Sequence, residues 1–157
     1  MKFVFDDGGR AAAGFKGAAG DCVARAIAIA TGRLYLEIYE ALSNGAGNER
    51  KSKGRTARNG IRVGRKWFKD YMRALGFIWV PTMFIGSGCK VHLHDGELPQ
   101  GRLVVSVSKH YTAVIDQVIR DTHDPQRETH VEVWRLGIFP ERKIARRCVY
   151  GYWKLND

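Results

Sequence analysis

Cysteine is scarce in this chain: Cys22, Cys89 and Cys148 are the three among 157 residues. A set so sparse and odd in number excludes the dense, paired framework of a secreted disulfide mini-protein. It predicts reduced thiols in a reducing compartment, each free to serve as a nucleophile. Long apolar runs are missing too. No stretch approaches the ~20 residues that a membrane-spanning helix needs, which excludes such a span. The opening Met1-Lys2-Phe3-Val4-Phe5-Asp6-Asp7 lacks the apolar segment and cleavage site of a secretory signal, so a cytoplasmic location is expected. Acid is in short supply: 16 Asp and Glu stand against 26 Lys and Arg, a formal net charge of +10.

What is present is ordinary in bulk and uneven in detail. Hydrophobic residues make up 45% and charged residues 27%, the balance of a soluble globular protein. The length suits a single domain over residues 1–157 with a core of its own. No repeat or boundary interrupts it, and a monomer is expected. The positive charge is concentrated in Arg50, Lys51, Lys53, Arg55, Arg58, Arg62, Arg65, Lys66, Lys69 and Arg73, with only Glu49 and Asp70 beside them. Arg142, Lys143, Arg146 and Arg147 form a second patch. Such a field attracts nucleic acid, acidic proteins or anionic surfaces. Its bland alternative is a solvated face that keeps the protein soluble.

Hydrophobic spacing gives the order of elements. Phe3-Val4-Phe5 reads as a short strand before a Gly/Ala-rich loop. Asp21 is a good N-cap residue, and Val23, Ala26, Ile27 and Ala30 recur at helical steps up to a stop at Gly32. A second helix is predicted from about Leu34 to Ser43, ended by Asn44-Gly45, with a basic, Gly-rich surface loop after it. A third, roughly Val63 to Leu75, carries the aromatic line Trp67, Tyr71 and Leu75, predicted to be buried. Strands follow: Phe77 to Val80, Leu103 to Ser108, a hairpin of His110 to Ile115 and Val118 to Thr122, then Val131 to Trp134 and Val149 to Trp153. Helices first and strands afterwards indicate an α+β fold with an antiparallel sheet.

Cys22 lies where a loop turns into the first helix, and the positive end of a helix dipole favours a thiolate. If the later hairpin turns on two residues, Asp116-Gln117, then Ile115 faces Val118, Ala113 faces Arg120 and Thr112 faces Asp121. Alternation then places His110, Thr112 and Asp121 on one side, with Asp121 diagonal to His110. Asp124 has the other parity and is the alternative acid. The chemistry needs each part: His110 as the base that takes the thiol proton, Asp121 to orient the ring and stabilise the imidazolium, and the Cys22 amide as an oxyanion donor. The set calls for no cofactor.

These segments carry a family resemblance. Gly20-Asp21-Cys22-Val23-Ala24-Arg25-Ala26 resembles the nucleophile segment of the papain-like cysteine peptidase superfamily, in its small bacterial and phage-encoded branch. Gly101-Arg102-Leu103-Val104-Val105, then Lys109-His110-Tyr111-Thr112-Ala113 and Asp121-Thr122-His123-Asp124-Pro125, resemble that family's His/Asp hairpin. The resemblance implies a papain-like fold, with the cysteine-bearing helices packed on an antiparallel sheet. It also implies a cysteine hydrolase of peptidase or amidase type, working through a Cys22-His110-Asp121 triad and a thioester acyl-enzyme on a peptide or protein substrate, acidic in keeping with the charge. Members carry a glutamine six residues before the cysteine as an oxyanion donor; here that position is Lys16.

Blander readings compete. Free cysteine is among the most buried residue types, and a Cys22/Ala26 face is often plain packing. Cys89, His92 and His94, with Asp95 behind, match no standard zinc spacing, and no metal site is expected. His123 and His130 read as loop residues, although His123 could sit opposite His110. The rival function is a catalytically inactive basic module for nucleic acid or an acidic protein, bound through Arg50, Lys51, Lys53, Arg55, Arg58, Arg62, Arg65 and Lys66.

Overall fold

Small apolar side chains all round the first helix, α1 (Cys22–Thr31), allow it to be buried on nearly every face. Val23, Ala24, Ala26, Ile27, Ala28, Ile29 and Ala30 are all within the core, as a helix with no polar stripe demands. Gly32 ends it in the left-handed conformation, φ 70°, its N–H donating to the Ala28 carbonyl at 2.8 Å. The computed structural model describes residues 1–49, 56–135 and 139–156, side chains of 129–144 excepted.

α2 (Tyr35–Gly47) packs against α1, and α3 (Lys66–Ala74) packs against α2, all three contributing to one core. α2 runs past the expected stop at Asn44-Gly45. Gly45 is there to admit Trp67, whose ring lies 2.3 Å from where a Cβ would stand. α3 turns a different side inward from the one its aromatic line suggests. Phe68 and Met72 are fully buried, whereas Trp67 and Tyr71 are half-buried. The indole N–H of Trp67 explains its position, since it donates to Glu49 Oε1 at 2.8 Å and a buried donor needs such a partner.

Six strands form the main sheet: β1 (Lys2–Phe5), β2 (Phe77–Pro81), β3 (Arg102–Val107), β4 (His110–Ile115), β5 (Val118–Asp121) and β8 (Val149–Leu155). Their order is β1-β5-β4-β3-β8-β2, and every pairing is antiparallel except β1 with β5. The other two, β6 (Glu128–Arg135) and β7 (Phe139–Arg146), pair only with each other. The fold is thus α+β with three α-helices among the described residues. Alternation divides the core in two. Val104, Ala113 and Trp153 join the helices; Leu103, Val105, Val107, Val114 and Ile119 pack with Leu93, Leu98 and Val149.

Arg102 sets the direction of α1 on the sheet. Its guanidinium donates to the Ala30 carbonyl at 3.2 Å, and Arg102 pairs with Ile115. The C-terminal end of α1 is therefore fixed at the end of β4, and its first residue, Cys22, falls at the beginning of β4, where His110 stands.

Two of the three cysteines are not free. Residues 91–93 run against residues 147–149, with Val149 N–H on the Val91 carbonyl and Leu93 N–H on the Arg147 carbonyl, both 2.8 Å. That pairing brings Cys89 and Cys148 together as a disulfide, Cα to Cα 5.9 Å. The expectation of reduced thiols at both positions is overturned, and with it the inference of a reducing compartment from cysteine usage. Sequence separation hid the pair: its members stand 59 positions apart. No helix among the described residues is long and apolar enough to cross a membrane.

Candidate active site

The hairpin that carries the site turns on two residues. Asp116 and Gln117 both have positive φ, 46° and 67°, the conformation of a tight type I′ connection. The register follows: Ile115 pairs with Val118, Val114 with Ile119 and Ala113 with Arg120. At the other end β3 passes into β4 through Ser108 and Lys109, with Val107 paired to His110 and Lys109 at φ 54°. His110 and Asp121 come together at that end. His110 Nε2 lies 2.6 Å from Asp121 Oδ2.

The Cys22 sulfur adjoins the same ring in one cleft, and the His110 side chain and the Tyr111 backbone N–H are the groups that favour its ionised form. The imidazole is thus bonded to the carboxylate and neighbours the sulfur. Asp124, the alternative acid, is exposed and bonded to Gln126 instead, accepting its backbone N–H at 3.0 Å. His123 lies against the outer side, its ring centroid 4.9 Å from that of His110.

The electrostatics favour a separated charge pair. Burial opposes ionisation of the Cys22 thiol. The hydrogen bonds from His110 and the Tyr111 amide, with the positive charges of His110 and Arg25, outweigh it and hold the thiol below its ordinary value. Burial likewise works against the charged imidazole, yet the hydrogen bonds and negative charges of Asp121 and Cys22 push His110 up to about 9. Asp121 pays a burial penalty as well, overcome chiefly by His110, then by the Thr112 side chain and by the Thr122 N–H, which donates to Oδ1 at 2.7 Å; its carboxyl is held low. Opposite shifts in contacting groups are the physical signature of a thiolate–imidazolium pair.

A second layer holds this chain in place. Arg25, one turn into α1 and buried, bonds Asp21 and places Nη2 3.8 Å from Asp121 Oδ1. Asp21 does not cap α1 with its side chain, as the sequence led one to expect. Its carboxylate is buried and takes the Tyr35 hydroxyl at 2.5 Å and Arg10 Nε at 2.9 Å, an ion pair without hydrogen-bond alignment. Burial of a carboxylate requires such compensation. Arg25 and Tyr35 were missed at the sequence level. The four-residue step from Asp21 to Arg25 is a usable signal, but nothing local points to Asp121.

The remaining sequence candidates lie elsewhere. Lys16 is exposed and does not line the cleft of Cys22; its carbonyl accepts from Arg10 and Arg58, at 3.3 and 3.2 Å. Arg58 also donates to the Ala18 carbonyl, 3.2 Å, and so fastens the loop before Cys22. Arg62 and Arg65 face Glu49, at 3.5 and 3.8 Å, and Lys66 pairs with Asp70 at 2.5 Å. Arg50, Lys51, Lys53 and Arg55 lie outside the described residues.

A cleft of about 470 Å³ opens over the sulfur, with Cys22, His110, Gly20, Ile61, Lys109 and Tyr150 among its walls. No protein-family model, curated protein or solved structure matches the chain. The reading of the site therefore rests on its own geometry. For a metal, ligand atoms of His110, Asp121 and His123 lie within 4.8 Å of one another. A cation there would have to displace the His110–Asp121 hydrogen bond and face Arg25. Cys89 is held in its disulfide, and His92 Nδ1 lies 3.0 Å from Glu97.

Proposed function

We propose that the protein is a cysteine hydrolase of peptidase or amidase type, with Cys22 as nucleophile, His110 as acid–base and Asp121 as the residue that positions the ring, on a papain-like scaffold. The reading rests on one observation: the sulfur at the start of α1 shares a cleft with an imidazole that favours its ionised form and is itself hydrogen-bonded to a buried carboxylate.

The Cys22 thiolate attacks the substrate carbonyl carbon, forming a C–S bond as the carbonyl π pair moves onto oxygen. Collapse restores the carbonyl and breaks the C–N bond, while the His110 imidazolium gives its proton to the leaving amine. Neutral His110 then takes a proton from water as its oxygen attacks the thioester. The C–S bond breaks, the acid leaves, and the thiolate and imidazolium are restored. Asp121 keeps the ring oriented and its cationic form stable throughout. The amide of Cys22, at the positive end of α1, serves the developing oxyanion.

Acylation by p-nitrophenyl acetate, located by peptide mass mapping, tests this. The expected result is rapid acetylation of Cys22, slowed about 10²–10⁴-fold in His110→Ala. Acetylation no faster at Cys22 than at surface lysines contradicts it. The second reading, a non-catalytic basic module on the same scaffold, is favoured by the cations around the cleft and predicts that second result.

A further inference from the structure

The cleft over Cys22 does not end there. On one side it meets a cavity of about 310 Å³, with which it shares Val63, Ser106, Tyr111 and Tyr150. On the other it meets one of about 320 Å³ at Tyr150, the residue common to all three. The sulfur thus lies partway along a trough.

The trough carries one sign of charge. Lys69 and Arg73 line the first cavity, Lys109 the middle, and Arg127, Arg146 and Arg147 the second. Among the described residues, no Asp or Glu lines any of the three. Asp70 neutralises Arg73 in part, at 3.3 Å. Lys69, Lys109, Arg127 and Arg146 have no carboxylate within ion-pair distance among the described residues. Clustering like charges unpaired is unfavourable for the protein alone, and an anionic ligand relieves it.

Between the charges the wall is apolar and rigid. Trp79 is 36% exposed, yet its indole is fixed. It lies over Gly151, where a Cβ would stand 2.3 Å from the ring, and is tilted against Trp153 with centroids 5.2 Å apart. A fixed aromatic wall with cations at both ends suits an extended chain of mixed apolar and acidic character.

Resting on the acyl-transfer reading above, we propose that the substrate is an acidic polypeptide. One carboxylate side chain is held at Lys69 and Arg73, another at Arg127 and Arg146, and the bond between them is presented to Cys22. A nucleic acid meets the same charges but offers the thiolate no acyl carbon.

Fluorescence anisotropy on the Cys22→Ser protein separates the cases, with a dye-labelled Glu/Ala peptide, its Lys/Ala counterpart and a single-stranded oligothymidylate. The expected result is salt-sensitive binding of the Glu/Ala peptide above both other probes, weakened about tenfold by Lys69→Glu with Arg73→Glu. The double variant keeps the far-ultraviolet circular dichroism and cooperative unfolding of the parent, which shows the protein still folded. Equal affinity for the two peptides, indifference to the double substitution, or tighter binding of the oligonucleotide overturns the proposal. The acetylation of Cys22 is read separately, so acidic binding without it refutes the hydrolase and not the binding preference.

Discussion

His110 is held from two sides, by a carboxylate at 2.6 Å and by the Cys22 sulfur. Each partner stabilises its charged form. The thiolate consequently exists below the ordinary thiol value, and the imidazolium keeps its proton up to about 9. Between these limits the site is a charge pair, and turnover should follow a bell, falling at low pH as sulfur is protonated and at high pH as His110 loses its proton. Asp121→Asn removes one charge from the chain. The expected consequence is a lower His110 pKa, seen by NMR titration of its ring protons, and roughly tenfold slower Cys22 alkylation at pH 6. An unchanged titration contradicts the coupling. Arg25 belongs to the same scale. Arg25→Met leaves Asp21 and Asp121 short of a buried cation and should cost about 3–5 kcal/mol of stability in urea unfolding; a loss below about 1 kcal/mol would show that Arg10 and Tyr35 suffice.

Among elements, the β4–β5 turn has the most leverage. Because side chains alternate, one added residue in the turn reverses the parity of β5 against β4. A glycine inserted between Asp116 and Gln117 should therefore separate Asp121 from His110 and reduce Cys22 reactivity to that of Asp121→Asn, with the protein still folded by circular dichroism. Unaltered reactivity would show that the register is fixed from elsewhere. This hairpin was legible in the sequence because a two-residue turn and a period of two leave one register. The first helix was legible for a similar reason, its small apolar steps ending in a glycine. α2 and α3 were read less well. The glycine at 45 marks a close approach and not a stop, and which face of α3 is buried depends on Gly45 and Glu49, which local spacing does not reveal. β7 went unread because Pro140, Arg142, Lys143 and Arg146 give no alternating apolar signal, and a two-stranded ribbon does not require one. Gly151→Ala tests a second close approach: a Cβ would strike the Trp79 ring and stand 3.0 Å from the Val80 carbonyl. Overpacking of this kind costs about 1–3 kcal/mol, read as a lower unfolding midpoint with altered tryptophan fluorescence.

For the whole molecule, the Cys89–Cys148 disulfide closes a loop across 59 residues, and a cross-link of that span contributes about 4 kcal/mol through the unfolded chain. Thiol titration of the unreduced, denatured protein should find one free sulfhydryl, rising to three on reduction, with a lower melting temperature. Three without reduction would remove the staple. The pair could not be read from the sequence, since nothing local announces that residues 91–93 and 147–149 run together. The charge could be read as a total but not as a surface. Arg58, Arg62, Arg65 and Lys66 bind carbonyls and carboxylates of the protein itself. Of the cations lining the trough, Lys69, Arg73, Arg146 and Arg147 belong to the two basic patches, whereas Lys109 and Arg127 stand outside them.

All of this depends on whether Cys22 is ionised by its neighbour. The direct measurement is the rate of iodoacetamide alkylation of Cys22 as a function of pH, in the native protein and in His110→Ala. The account predicts a thiolate already reactive well below the ordinary thiol range, and an inflection that moves up toward the ordinary value when His110 is removed. A profile with the inflection of an unperturbed thiol, identical in the two proteins, would contradict it.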